Sequence, residues 1–209
     1  MNRAAVFIDN GYFSKVLKNL FGRPEIDYKL FSDNICSGCE RLRTYVYDCM
    51  PYQSQNSTAE ERERYSKMDS FVSSLKKLPR FEFRQGSLQK IWVENKYVFK
   101  QKMIDTLLSI DIVKLSATRQ IQDAVLIAGD HDFVPAVQTA KDSGVVVKLY
   151  YARPVHDELI DICDETIEIT QDLINQSLKL HVIPTRKKHD SNRVNASPIM
   201  LYKDFCFGF

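Results

Sequence analysis

A mixed α/β fold, built as a three-layer α/β/α sandwich around a mainly parallel sheet, is expected from three observations. Four short apolar runs, at 4–8, 42–47, 124–128 and 145–151, have the length and the Val, Ile, Leu and Tyr content of strands covered on both faces. Segments of helical periodicity lie between them, and such alternation builds parallel sheets with helices on both sides. The first and third runs lead directly into acids, at the strand ends where open parallel sheets gather their working residues.

Each helix carries its own signals. The segment 59–78 opens after Ser57-Thr58 with Glu60 and Glu61 in its first turn and closes before Pro79. Residues 103–116 are apolar on most sides, as a buried helix would be. The segment 133–142 ends at Ser143-Gly144, and Gly144 suits the position after a helix C-terminus. The stretch 81–99 differs: Phe81-Glu82-Phe83-Arg84 alternates, and two apolar triplets flank Glu94-Asn95-Lys96, which predicts a hairpin. Beyond 176 periodicity is lost and an aromatic cluster appears (Tyr202, Phe205, Phe207, Phe209). The expected organisation is one domain at 1–176 and a C-terminal tail at 177–209 without an assigned role.

With 209 residues, 44% of them hydrophobic, the chain can bury one core. It has no run of about 18 apolar residues, and its N-terminal apolar stretch reaches Asp9 too soon for a signal-peptide core, so no membrane association is expected. Five scattered cysteines, an odd number, do not resemble a disulfide framework, and a reducing cytoplasm fits. Net charge is only +2, but it is segregated: 76–102 carries eight basic against two acidic residues, whereas 155–172 carries seven acids and no Lys or Arg. The basic segment reads either as a phosphate-binding face or as a solvated helix end and hairpin.

The chemistry concentrates in aspartates. Asp9 follows the first strand and precedes Asn10-Gly11, which favour a tight turn. It could project into the crevice or simply cap the next helix. The third strand runs into Gly129-Asp130-His131-Asp132-Phe133, where two carboxylates two residues apart repel each other unless a cation or helix N-terminal amides hold them. On a wheel of about 100° per residue, Asp111 falls among Ile104, Leu107, Leu108 and Leu115, so it needs a partner or a site. Asp105 lies in the first turn of the same helix. Carboxylates without a Ser or Cys beside a His fit hard-metal chemistry with Mg²⁺ or Mn²⁺, in which a cation activates water for displacement at phosphorus. Zinc is disfavoured because Cys36-Ser37-Gly38-Cys39 lacks a second ligand pair. His131 either points outward at the helix start or shuttles protons.

These residues carry a resemblance. Phe7-Ile8-Asp9-Asn10-Gly11-Tyr12, Gln101-Lys102-Met103-Ile104-Asp105 with Asp111, and the segment 125–133 resemble the signature segments of NYN-domain proteins, LabA-like members of the PIN-like nuclease superfamily. Arg43-Thr44-Tyr45-Val46-Tyr47-Asp48, Pro51-Tyr52-Gln53-Ser54, Val134-Pro135-Ala136-Val137 and His156-Asp157-Glu158-Leu159 are similar to further segments of that family. The likeness covers 1–176. It implies a PIN-like, Rossmann-like sandwich that hydrolyses RNA phosphodiesters with Mg²⁺ or Mn²⁺, with its acids carried by Asp9, Asp105 and Asp130 and, less directly, Asp132 and Asp111. Two positions depart from the family's pattern: Tyr12 stands where many members have Asn, and Ala128 where Ser is frequent.

The resulting expectation is a metal-dependent endoribonuclease in which Asp9, Asp105 and Asp130 hold the ion while Asp132 and Asp111 orient water or a second ion. Lys102 and Asn10 would contact substrate, and Arg80, Arg84, Lys96 and Lys100 would guide the RNA. Homo-oligomerisation is left open. A non-catalytic RNA- or protein-binding module of the same fold is the main alternative. A phosphatase with an aspartyl nucleophile would want a second Asp where Gly11 stands.

Overall fold

The computed structural model describes residues 1–93 and 96–179, apart from the side chains of 89–91, 93 and 96–102. Strand β1 (Arg3–Asp9), buried from Ala4 to Ile8, is the centre of the sheet; β2 (Glu40–Cys49) contains the second apolar run, and β5 (Asp123–Ile127) and β6 (Val146–Tyr151) match the other two to within one residue. With β3 (Phe81–Val93), β4 (Lys96–Lys102) and β7 (Glu165–Glu168) the order is β4-β3-β2-β1-β5-β6-β7. Among the described residues six strands are parallel and the edge strand β4 runs antiparallel, so the sheet is mainly parallel as expected.

Alternate strand residues feed two apolar layers. Phe7, Tyr47, Leu126 and Leu149 pack under α4 (Ile104–Ala117), α5 (Val134–Asp142) and α6 (Asp157–Ile162), through Leu108, Ile112, Val137 and Leu159. Val6, Ile8, Val46 and Val125 face α1 (Asn10–Leu20), α2 (Tyr28–Ile35), α3 (Ala59–Lys76) and α7 (Gln171–Asn175), through Phe13, Phe31, Leu75 and Ile174. Burial on both faces explains why β1 and β5 read as continuous apolar runs, while Arg43 and Lys148 interrupt those of the partly exposed β2 and β6. The start signal at Ser57-Thr58 proves to be a capping box between Thr58 and Glu61.

The hairpin expected over 81–99 needs correction in its first half. Residues Phe81 to Gly86 of β3 pair in parallel with Thr44 to Cys49 of β2, and only from Ser87 does β3 turn to antiparallel pairing with β4. Gly86 marks the change of partner. A Cβ there would lie 2.6 Å from Ile104 Cδ1 and 2.9 Å from Cys49 Sγ, so the backbone passes under α4 only without a side chain. The strand β7 and helices α2, α6 and α7 are additions to the sequence expectation, whereas α1 is the helix that Asp9 was expected to precede. Ser177 and Lys179 are tied back by backbone bonds to Asp27 and Glu25. The later tail positions, with the aromatic cluster, lie outside the described residues.

Candidate acidic cleft

Parallel strands deliver their last residues to one edge, and β1 and β5 pair in register there, Ile8 with Ile127. A cleft of about 410 Å³ opens at that edge, lined by Asp9 from β1, Asp105 from the first turn of α4 and Asp130 after β5, with His156 and Lys15. Asp132 lies just beyond: it lines, with Asp105, a neighbouring groove between α4 and α5. Four of the five acids expected at the site therefore lie in or beside one cleft.

Asp9 also caps α1, its Oδ1 accepting from the Tyr12 N–H at 3.0 Å. Capping and cleft lining thus coexist in one carboxyl. Burial pushes its pKa up to about 6, and the charges of Asp105 and Asp48 push the same way against the Tyr12 N–H. Asp105 is raised by burial first and then by Asp130 and Asp132. Carboxylates this crowded are the environment that a cation relieves. Asp130 accepts from the Asp132 N–H at 3.3 Å, capping a short 3₁₀ turn, His131–Phe133, that leads into α5.

Asp111 is not part of this cleft. Its Oδ2 accepts from the Tyr47 hydroxyl at 2.9 Å and from Arg84 Nε at 2.8 Å, and it supplies the partner that its position on an apolar stripe demanded. Arg84 is equally committed, holding Glu82 at 2.5 Å as well, and it lies two strands away from Asp9, roughly 10 Å. Neither is placed as a catalytic or substrate-guiding group. Asn10 corrects likewise: it is buried, donates to Asp48 Oδ2 at 2.6 Å and accepts from the Tyr28 hydroxyl, which leaves its amide turned inward.

Among the described residues of the basic segment, Arg80 and Arg84 do not sit together. Arg80 precedes β3, about 13 Å of strand before Arg84 and so towards the opposite edge of the parallel sheet. There it donates to the Arg41 carbonyl at 2.7 Å and faces Glu40. The side chains of Lys96, Lys100 and Lys102 lie outside the described residues. The basic side chain lining the cleft, among the described residues, is Lys15 on α1, one turn after Tyr12.

Sequence reasoning missed three groups here. Asp48 follows Tyr47 on β2 just as Asp9 follows Ile8, so the strand-end signal was present; burial raises its pKa while Asn10 and the Cys49 N–H lower it. Lys15 had no local signal. His156 lies in the turn before α6, where its N–H donates to the Gly129 carbonyl at 3.0 Å. Its ring sits 4.8 Å from that of His131, which is half-exposed yet set between Asp130 and Asp132 rather than free.

Tyr12, one of the two departures, has an evident structural duty. Its hydroxyl donates to the Ala152 carbonyl and accepts from the Ala152 N–H at 3.0 Å, which joins α1 to the chain after β6. The ring lies against Gly129, where an added Cβ would be 2.4 Å from Tyr12 Cε2. Ala128, the residue after β5, is fully buried.

A model of the NYN domain matches residues 3–174. The chain belongs to the NYN-domain family. Its PIN-like fold is also seen in a crystal structure of a protein of unknown function from Vibrio parahaemolyticus, to which this NYN chain is 17% identical with a TM-score of 0.55. That likeness spans 85% of this chain and 96% of the other. No curated protein matches. Among the described residues of this NYN domain, no helix is long and apolar enough to cross a membrane.

Proposed function

We propose that this NYN domain is a metal-dependent endoribonuclease that hydrolyses RNA phosphodiesters in the cleft between β1, β5 and α4. The observation that carries the reading is the crowding of Asp9, Asp105 and Asp130 around one open cleft, with the Asp9 carboxyl raised to about 6 by burial and by neighbouring acids. The donor set, all carboxylate oxygen, fits Mg²⁺ or Mn²⁺ held by Asp9, Asp105 and Asp130. Such an ion supplies a Lewis acid for phosphate and an acidified water at neutral pH.

The chain's own residues do the rest. Lys15, exposed at the cleft wall, contacts a non-bridging phosphate oxygen and holds the strand near the acids. Asp132 turns water on the α5 side of Asp105. Asn10 holds Asp48, whose charge is felt at Asp9, in a fixed place. Tyr12 and Gly129 lock the two strand-end loops at a fixed separation. The free thiols Cys36, Cys39 and Cys163 are in keeping with a reducing, cytoplasmic setting.

One observation favours a second reading, a non-catalytic RNA- or protein-binding module: the Tyr12 hydroxyl is spent on Ala152 and offers no ligand at the position where the family resemblance implies Asn. Purified protein incubated with mixed RNA and DNA, with and without Mn²⁺, separates the two. Mn²⁺-dependent loss of RNA supports the nuclease. RNA binding without cleavage and without Mn²⁺ affinity supports the module and overturns the nuclease.

A further inference from the structure

The acids named above are not the set of donors that comes closest to closing around an ion. Among the described residues, the one group of three metal-ligating side chains whose donor atoms all fall within 4.8 Å of one another is Asp130, His131 and His156. The three arrive from two segments far apart in sequence. Asp130 and His131 follow β5, His156 follows β6, and the His156 N–H bond to the Gly129 carbonyl ties the two segments together at 3.0 Å.

We propose that Asp130, His131 and His156 form a second cation site, of mixed imidazole and carboxylate character, that takes a borderline first-row divalent ion such as Zn²⁺ or Co²⁺. Imidazole nitrogen favours these ions, whereas the all-oxygen set of Asp9 and Asp105 favours Mg²⁺ or Mn²⁺. The two positions differ in chemistry and share Asp130. An ion with bonds of about 2.1 Å draws tetrahedral donors to roughly 3.4 Å apart. Side-chain rotation supplies that contraction, since Asp130 and His131 are about half-exposed and His156 is exposed.

The surroundings also supply the outer carboxylate that metal-bound histidines use. His131 Nδ1 lies 3.2 Å from Asp130 Oδ1, and its other ring nitrogen lies 3.4 Å from Asp132 Oδ1. With Nδ1 facing the ion, Nε2–H donates to Asp132, which fixes the ring and strengthens the ligand. Asp132 then acts through His131, as a positioning residue. Three protein ligands leave an open position, the mark of an exchangeable site rather than a structural one.

Zn²⁺ titration of the metal-stripped full chain, followed by calorimetry and by the imidazole resonances in NMR, tests the site without RNA and so without regard to cleavage. The expected result is that Zn²⁺ shifts the His131 and His156 rings together. His131→Gln and His156→Gln should each weaken binding tenfold or more, with circular dichroism unchanged. Asp132→Asn should weaken it by roughly tenfold, and Asp9→Asn should leave it intact. Failure of Zn²⁺ to shift the two rings, or wild-type affinity in His156→Gln, overturns the proposal. Equal loss in Asp9→Asn and His156→Gln also overturns it, because the two positions would then be one. A chain that binds Zn²⁺ in this pattern yet cleaves no RNA keeps the site and loses only the nuclease reading.

Discussion

Asp9 is asked both to cap α1 and to sit buried among acids, and the second demand dominates its titration. In the unfolded chain its carboxyl titrates near 3.8; in the metal-free folded chain it does so at about 6. Between those values the folded state holds the extra proton, so stability falls as pH rises through this window and is level above it. The shift corresponds to about 3 kcal/mol lost above pH 6. Asp9→Asn, which keeps an oxygen for the Tyr12 N–H, should therefore melt higher than wild type at pH 7.5 without divalent ions. The advantage should disappear below about pH 4, and equal melting temperatures at both ends would remove burial as the cause. Tyr12 offers a second residue-scale check. Gly129→Ala pushes a methyl group into a ring held at its far end by Ala152, and should cost about 1–3 kcal/mol. Pairing it with Tyr12→Phe, which frees the ring, should recover part of that loss in chemical denaturation; no recovery would place the strain elsewhere.

Helix α4 carries an acid of each kind, with Asp105 at the cleft and Asp111 in a pair with Arg84 beside the Tyr47 hydroxyl. Asp111→Leu strands that hydroxyl and deprives Arg84 of one of its two carboxylates, so it should lower stability by about 1–3 kcal/mol while leaving the cleft acids in place. A double-mutant cycle with Arg84→Met measures the coupling, and independent, additive effects would show that the pair is not a unit. The periodicity of α4 announced that Asp111 needed a company it could not name, because Arg84 and Tyr47 come from strands 27 and 64 residues away in sequence. The four central strands were legible from their apolar runs, uninterrupted in β1 and β5, which are buried on both faces, and broken only by Arg43-Thr44 in β2 and Lys148 in β6. The opening of β3 was not, since Phe81-Glu82-Phe83-Arg84 alternates as a hairpin strand would; the change of partner at Gly86 depends on the close passage of α4. At four residues, two of them Glu, β7 is too short and too polar to stand out.

At the scale of the molecule, parallel topology sorts charge that looks continuous in the chain. Arg80 and Lys15 are both basic, yet Arg80 lies towards the sheet edge opposite the cleft, while Lys15 lies at it. Lys15→Gln should weaken binding of a short single-stranded RNA and reduce its salt dependence by about 0.7 in slope for the lost phosphate contact. Arg80→Gln should change neither, and the reverse pattern would move the substrate path to the other edge. The same topology explains what of the site was readable: Asp9 and Asp130 follow strand runs, but His156 meets His131 only because β5 and β6 are neighbours. The proposed joint action of Asp9, Asp105 and Asp130 on RNA through a divalent ion has a direct test. It is tested most directly by timing cleavage of a labelled RNA by wild type and Asp105→Asn in Mn²⁺ and in chelator. Asp105 lies outside the histidine set, so its loss reports on this site alone. Wild type is expected to cleave in Mn²⁺ only, with Asp105→Asn slower by about a hundredfold or more and folded by circular dichroism; cleavage in chelator, or at the wild-type rate by Asp105→Asn, would rule out the proposed site.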